Sequence, residues 1–173
     1  RLSVNDLLIL ATAKTLVKHP RFNAYWLEDH LQLHSQVNIG IAVALDDGLV
    51  VPAILDVANK GLAQISAEAR DVAARARKGA LTQEEFTAST FTISTLGAFG
   101  VDVLVAIINP PQVGILGIGA AKEKPVVRDG QVVVRNMMTI VLSADHRATD
   151  GAEGARFLET LRQMIEAPGM MLA

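Results

Sequence analysis

The stretch from residue 90 to residue 144 limits the fold most strongly, because it holds several apolar segments and no helical pattern. Residues rich in Val, Ile and Thr form short runs separated by Gly, Pro or Asn, at positions 90–95, 104–108, 113–118, 126–127 and 132–142. Short β-branched runs with such breaks are typical of strands. Residues 128–131 (Arg-Asp-Gly-Gln) predict a turn between two of them. We therefore expect a sheet with many strands.

Helical patterns flank this strand-rich stretch. Ser3, followed by Asp6 three residues later, predicts a capped helix that ends before Pro20. Residues 62–78 and 150–166 also repeat apolar side chains at helical spacing. In the last helix, the residues expected on the buried side are Ala155, Leu158, Leu161 and Ile165.

A further strand pair is expected before the second helix. Residues 37–45 alternate bulky and small side chains, which predicts one strand with a face that another element approaches closely. Asp46-Asp47-Gly48 predicts a hairpin turn into a second strand at 49–55, where Pro52 is compatible only with an edge or a bulge. Helices and strands do not alternate regularly, so the predicted class is α+β with a mixed β-sheet flanked by helices.

Composition narrows the classes of function. The chain has 173 residues, of which 50% are hydrophobic and 20% charged, and its mean hydropathy is +0.32, which favours an oligomer with apolar subunit contacts. The net charge of -2 and the lack of a basic cluster argue against nucleic-acid binding. No uninterrupted apolar run reaches the roughly 20 residues of a membrane helix, so no membrane role is expected.

The ends and the cysteine content add two expectations. Without cysteine, the chain has no thiol nucleophile, so any thiol in its chemistry must belong to a substrate. The first residues are neither a signal peptide nor an initiator methionine context, and no linker or repeat divides the chain. We expect residues 1–173 to be a single domain from a longer protein, and we expect this domain to lack its own N-terminal segment.

The four histidines are the candidates for acid–base chemistry near neutral pH. His19 lies at a predicted helix end, where a positive imidazole would suit the helix dipole. His30 and His34 have a metal-ligand spacing, but their alternation with Leu and Gln predicts a strand with a polar face, and no third ligand stands out. Metal binding is therefore not expected.

His146 lies at a predicted strand-to-helix junction, after the apolar run 132–144 and four residues before Asp150. A side chain at such a junction is held firmly and faces open space. The alternative interpretation is a solvated turn in which Asp150 is only a helix N-cap and Glu153 completes a capping box. Position alone leaves both interpretations open.

The residues at 145–151 (Asp-His-Arg-Ala-Thr-Asp-Gly) resemble the His-x-x-x-Asp-Gly signature shared by the dihydrolipoyl acyltransferases and chloramphenicol acetyltransferase. The flanking Asp-His-Arg is typical of the former. Segments 3–6, 48–52, 91–97 and 107–112 resemble that family in the same order, so the resemblance spans the chain. The sequence departs from it at Thr95, usually Asn, and at Thr149, usually a bulky aliphatic residue. The resemblance implies a chloramphenicol acetyltransferase-like fold.

The resemblance also implies a catalytic set. His146 corresponds to the base that deprotonates an incoming thiol, and Ser94 to the hydroxyl that donates a hydrogen bond to the tetrahedral oxyanion. Asp150 corresponds to an aspartate that braces the site. In relatives the site forms between neighbouring subunits, so His146 and Ser94 are expected to meet across an interface.

The implied cosubstrates are coenzyme A and a lipoyl group carried on a separate lipoyl domain. The implied assembly is a homotrimer that can build a 24-mer or 60-mer core, working with the decarboxylase and dihydrolipoyl dehydrogenase components of a 2-oxo acid dehydrogenase complex. Asn-Pro-Pro-Gln at 109–112 and the apolar tail Met170-Met171-Leu172, which a monomer would expose, look most like pyruvate-type, acetyl-transferring members. The expected location is the cytoplasm in a bacterium or the mitochondrial matrix in a eukaryote.

Several other interpretations compete with this one. Residues 114–119 contain three glycines, but their spacing does not fit a nucleotide loop, and they are expected to let another element approach a strand. Ser94, His146 and Asp150 could form a hydrolase triad, although Thr92 replaces the first glycine of the nucleophile elbow. An inactive assembly scaffold and a small-molecule acetyltransferase of the chloramphenicol type are the remaining alternatives.

Overall fold

A computed structural model describes residues 2–171 and has a five-stranded mixed sheet at its centre. The strand order is β11-β8-β7-β3-β6, with β3 Ile39–Ile41, β6 Ala53–Ile54, β7 Phe91–Thr95, β8 Gly114–Ile118 and β11 Ile140–Ala144. β7 runs parallel to both β3 and β8, whereas the outer strands β6 and β11 are antiparallel to their neighbours. The predicted α+β class with a mixed sheet is therefore confirmed.

Three two-stranded antiparallel ribbons extend from this sheet. They are β1 Ala24–Leu27 with β2 His30–Leu33, β4 Val43–Leu45 with β5 Gly48–Val50, and β9 Lys122–Arg128 with β10 Gln131–Met137. Leu45 pairs with Gly48 and Arg128 pairs with Gln131, which confirms both predicted hairpin turns. β2 also confirms the strand predicted around His30.

The helices are α1 Val4–Lys18, α2 Leu62–Arg77, α3 Gln83–Thr87 and α4 Gly151–Glu166. Ser3 and Asp6 form the predicted capping box of α1, because the hydroxyl of Ser3 accepts from the Asp6 amide and the Asp6 carboxylate accepts from the Ser3 amide. Within residues 2–171, no helix has the length and apolar character needed to cross a membrane.

One continuous buried cluster joins α1, the sheet and α4. At its centre the ring of Phe157 on α4 lies 4.7 Å from that of Phe22 and 5.8 Å from that of Phe91 on β7, measured between centroids. All three side chains are fully buried. This packing fixes α4, and hence the turn that precedes it, against the sheet.

Three predicted strands are divided in the structure, which corrects their boundaries. Residues 37–45 form β3 and β4, residues 49–55 form β5 and β6, and the run 132–144 forms β10 and β11. In each case the chain leaves a peripheral ribbon and enters the central sheet, or the reverse. Pro52, which has no amide proton to donate, lies at one of these breaks, as expected. The close approach predicted for residues 37–45 is found at Gly40, where an added Cβ would lie 2.7 Å from a methyl carbon of Val51.

The strand predicted at 104–108 is wrong, because this segment pairs with no strand in the part of the chain described here. Its first residue packs closely on β8 instead, since a Cβ placed on Gly117 would lie only 2.1 Å from the carbonyl oxygen of Leu104. Gly119 is approached in the same way by Asp102. The glycines at 114–119 therefore permit a close backbone approach, as predicted, while Ile107 beyond them is 91% exposed.

The last helix and the tail differ in detail from expectation. Leu161 is buried, and Leu158 and Ile165 pack partly buried on the core, as predicted, whereas Ala155 is exposed and Phe157 and Met164 are the other buried side chains of α4. Met170 is exposed, but Met171 is only 6% exposed, so it does not belong to an exposed tail. Leu172 lies outside the described residues.

Candidate active site

His146 lies in a turn between β11 and α4, as predicted from the sequence. The turn is tied to the sheet by the Asp145 amide, which donates to the carbonyl of Val113 at 2.8 Å. It is closed by the amides of Ala148 and Thr149, which donate to the Asp145 carbonyl at 3.0 and 3.2 Å. The His146 side chain is exposed on this turn. A folded backbone thus presents a free imidazole, which suits a base that must meet a substrate.

Arg147 braces the same turn from the side of the β1–β2 ribbon. Its guanidinium makes a two-pronged contact with the Asp145 carboxylate, with Nη2 at 2.7 Å from Oδ2. It also lies 5.2 Å above the ring of Trp26, within the range of a cation–π contact. The hydrogen bonds from Arg147 lower the pKa of Asp145, so this carboxylate stays ionised and is a poor proton donor.

Asp150 is the N-cap of α4, as expected. Its carboxylate accepts from the amides of Ala152 and Glu153 at 2.8 and 2.9 Å, and these bonds, that from Glu153 foremost, lower its pKa. The predicted capping box is wrong, because Glu153 does not reach back to the Asp150 amide. The Glu153 carboxylate instead accepts a hydrogen bond from the Thr149 hydroxyl at 2.8 Å. A carboxylate engaged in two amide bonds fits a bracing role for Asp150.

Ser94 lies near the end of β7 and is half-buried. It lines a cavity of about 530 Å³, whose walls include Ile41, Ile93, Phe99 and Ile118. The predicted extended strand around Ser94 is confirmed, and this strand provides no nucleophile elbow. A largely apolar cleft with a hydroxyl in its wall can hold a thioester and offer a hydrogen bond to its oxygen.

The structure brings His146 and Asp150 into one turn, but it does not bring Ser94 to them. Ser94 pairs with Gly117 near the end of β8, whereas Ala144, two residues before His146, pairs with Gly114 at its start. From the rise per residue and the spacing of strands, the two side chains lie roughly 15 Å apart. Within one chain they cannot act on the same atom.

The other histidines have structural surroundings. His19 is the C-cap of α1, as expected, but burial lowers its pKa, so its neutral form is favoured and the predicted positive charge is not. His34 packs on Tyr25, and burial lowers its pKa too. His30 is exposed beside Asp29. Residues 2–171 contain no group of three or more ligands that could hold a metal ion.

Sequence reasoning missed two side chains that hold the His146 turn. Arg21 follows Pro20 and donates to the carbonyl of Ala148. Trp26 supports Arg147 and is the only tryptophan of the chain, which could have marked it. Nothing in the local sequence around Arg21 points to the turn.

The fold agrees with that of known acyltransferases. A chloramphenicol acetyltransferase superposes with a TM-score of 0.62 over 94% of this chain and 78% of that one, at 13% identity, which confirms the predicted fold alone. Two closer structures superpose with TM-scores of 0.94, and each is covered over 72% of its length. One is the dihydrolipoamide acetyltransferase of Azotobacter vinelandii, 37% identical over 99% of this chain, in a study of a serine, a histidine and an asparagine in its catalytic mechanism. The other is the cubic core of a pyruvate dehydrogenase multienzyme complex, 38% identical over 100%.

The mixed sheet, the His146 turn and these likenesses define an acyltransferase fold. Residues 1–173 match the family described as 2-oxoacid dehydrogenases acyltransferase (catalytic domain), and the chain belongs to this family. The dihydrolipoyllysine-residue acetyltransferase component of the pyruvate dehydrogenase complex from Rickettsia felis is 44% identical over 99% of the chain. The chain spans 42% of the length of that relative.

Proposed function

We propose that this protein transfers an acyl group, acetyl in the first place, between a dihydrolipoyl group and coenzyme A. The observation that carries the proposal is a pair of half-sites on one sheet: a firmly held imidazole in the turn after the edge strand β11, and a hydroxyl in a largely apolar cleft near the end of the central strand β7. The named relatives, acetyltransferase components of pyruvate dehydrogenase complexes, support the choice of acyl group.

The proposed reaction is a thiol–thioester exchange. The His146 imidazole takes the proton of the incoming thiol, and the thiolate attacks the thioester carbonyl. The Ser94 hydroxyl donates a hydrogen bond to the oxygen of the tetrahedral intermediate. When the intermediate collapses, the carbon–sulfur bond of the donor breaks, and the leaving thiolate recovers the proton from His146. Both thiols belong to substrates, in keeping with a chain that has no cysteine.

The Azotobacter enzyme supports this assignment. Its catalytic study concerned a serine, a histidine and an asparagine whose spacing in the chain is that of Ser94, His146 and Asp150. The third position differs, because an amide stands there in that enzyme and a carboxylate stands here. Since the Asp150 carboxylate caps α4, we assign it to support of the turn and not to proton transfer.

A second copy of the chain is needed to complete the proposed site. His146 and Ser94 are too far apart within one chain, so we propose that the His146 turn of one copy meets the Ser94 cleft, the cavity lined by Ser94, of the next. A contact between two different surfaces of the same chain can close into a ring, and a trimer is the proposed ring. The cubic core formed by a relative supports assembly into a larger particle, a 24-mer or 60-mer. The proposed partners are a lipoyl domain and the decarboxylase and dihydrolipoyl dehydrogenase components.

The test is acyl transfer from acetyl-coenzyme A to free dihydrolipoamide by the intact protein. Replacement of a catalytic base costs about 100- to 10,000-fold in rate, and loss of one oxyanion donor about 100- to 1,000-fold. We therefore expect His146→Ala and Ser94→Ala to lose activity to these extents without a change in assembly size. Full activity of His146→Ala would refute the mechanism, and no turnover by the wild-type protein would favour an inactive scaffold.

A further inference from the structure

The guanidinium of Arg21 contacts the turn that carries His146. Arg21 lies in a short 3-10 segment, Pro20–Phe22, that follows α1. Its Nη2 and Nε atoms donate to the carbonyl oxygen of Ala148 at 2.6 and 3.1 Å. Two donors of a planar, permanently charged group thus converge on one backbone oxygen just after His146. Because both donors bind the same backbone oxygen, the contact restricts the position of the Ala148 carbonyl in the turn.

A second connection joins Arg21 to the same turn through α4. The Nε atom of Arg21 lies 3.5 Å from a carboxylate oxygen of Glu153. That oxygen also accepts the hydrogen bond from the Thr149 hydroxyl. Thr149 is buried, so its side chain is held in place where it contacts Glu153. Arg21 therefore holds the turn directly at Ala148 and indirectly at Thr149.

The position of these contacts decides what they do. At its start, the turn is fixed to the sheet by the bond between Asp145 and Val113. At its end, Arg21 holds Ala148. His146 lies between these two points, and its own side chain is exposed. Without Arg21 the turn keeps its link to the sheet and its internal amide bonds, but Ala148 loses the contact that ties it to the segment after α1.

We propose that Arg21 is a positioning residue for His146, acting through the carbonyl of Ala148 and the carboxylate of Glu153. The proposal rests on the proposed function of His146 as the base. Arg21 touches no reacting atom, so its removal should disturb proton transfer and not the binding of either thiol substrate. A misplacement of about 1 Å can cost about 100-fold in rate. We therefore expect kcat to change and KM to stay.

The test compares Arg21 variants of the intact protein in acetyl transfer. Arg21→Ala should lower kcat by about 10- to 100-fold, with KM for both substrates within about 2-fold. Arg21→Lys keeps one charged donor and should recover part of kcat, whereas Arg21→Gln, a neutral donor, should recover less. Lys18→Ala is the matched control, because Lys18 lines the same small cleft and its removal changes the net charge equally. Its kcat should equal that of the wild type.

A readout without turnover accompanies the kinetics. The amides of Ala148 and Thr149 are hydrogen-bonded within the turn, so their hydrogen exchange should quicken in Arg21→Ala and remain slow in Lys18→Ala. If Arg21→Ala does not fold, the Lys and Gln variants carry the test, since both keep a side chain that can donate. An unchanged kcat in the Arg21 variants, alongside an inactive His146→Ala, would overturn the role of Arg21 alone. An active His146→Ala would overturn the proposed function itself.

Discussion

Two inactive variants should restore each other if the site is shared between copies of the chain. His146→Ala retains Ser94, and Ser94→Ala retains His146, so a site is complete where the His146 of a Ser94→Ala copy faces the Ser94 cleft of a His146→Ala copy. When the two variants are produced together in equal amounts and mix at random, half of the copies retain the His146 side chain and the other half retain the Ser94 side chain. About a quarter of the sites then have both groups, by the closed ring proposed above. Since each variant alone loses about 100-fold or more, the mixture should be at least about 25-fold more active than either.

The roughly 15 Å between the two side chains sets this expectation, because no rotamer change could bring them together within one chain. The assay is acetyl transfer to dihydrolipoamide by co-produced, co-purified particles. Mixing the two separately purified particles provides the control, since undissociated particles should stay inactive. Wild type co-produced with the double variant should also give about a quarter of the activity, whereas a site within one chain would give half. Co-produced single variants as inactive as each alone would refute the shared site.

Three further predictions concern stability. Gly117→Ala should cost about 1 to 3 kcal/mol in urea unfolding, because its Cβ would meet the Leu104 carbonyl at 2.1 Å. Gly154→Ala on α4 is the control: its Cβ would make only an ordinary contact at 3.5 Å, so it should stabilise by about 0.5 to 1 kcal/mol. Equal effects of the two substitutions would contradict the close approach of Leu104 to β8. Phe157→Ala should cost about 3 to 5 kcal/mol in the same measurement, since its fully buried ring packs against those of Phe22 and Phe91. A cost below about 1 kcal/mol would contradict that packing. Hydrogen bonds from Arg75 lower the pKa of Glu85 to about 2 from an ordinary 4.5, so the contribution of this carboxylate to stability is present above pH 4.5 and is lost as the pH falls towards 2. The free energy of unfolding, measured across this range, should therefore depend less on pH in Glu85→Gln than in the wild type. An unchanged dependence on pH would contradict the ion pair.

Local chemistry explains which parts of the fold the sequence predicts. The α1 capping box and the Asp46-Asp47 and Asp129-Gly130 turns involve residues within three positions of each other, and all were predictable. The boundaries inside 37–45 and 132–144 were not, because an apolar run does not show where the chain changes its pairing partner. The segment 104–108 has strand composition, yet its backbone approaches β8 closely at Gly117 and does not pair with it. That outcome depends on residues distant in sequence.

The same distinction applies to the site. His146 and Asp150 stand in one short segment between a strand and a helix, so their position was readable from pattern alone. Ser94 is one hydroxyl in an ordinary strand, and only the resemblance to a family singled it out. The contact of Arg21 with Ala148 joins residues 127 positions apart. No local signal at Arg21 could have predicted it, because packing of α4 on α1 brings the two together.

The exposed apolar surface near Ser94 connects assembly with catalysis. Phe99 lines the Ser94 cavity and is 76% exposed. The segment that continues from it approaches β8 closely at Gly117, the register partner of Ser94, and ends in the exposed Val105 and Ile107. A contiguous exposed apolar patch of this kind is typical of a surface that another molecule covers. If a second copy covers this surface and presents its His146 turn there, the same contact buries the surface and completes the site. Activity per chain should then fall on dilution in step with dissociation, since a lone chain has the cleft and the base but cannot use them together.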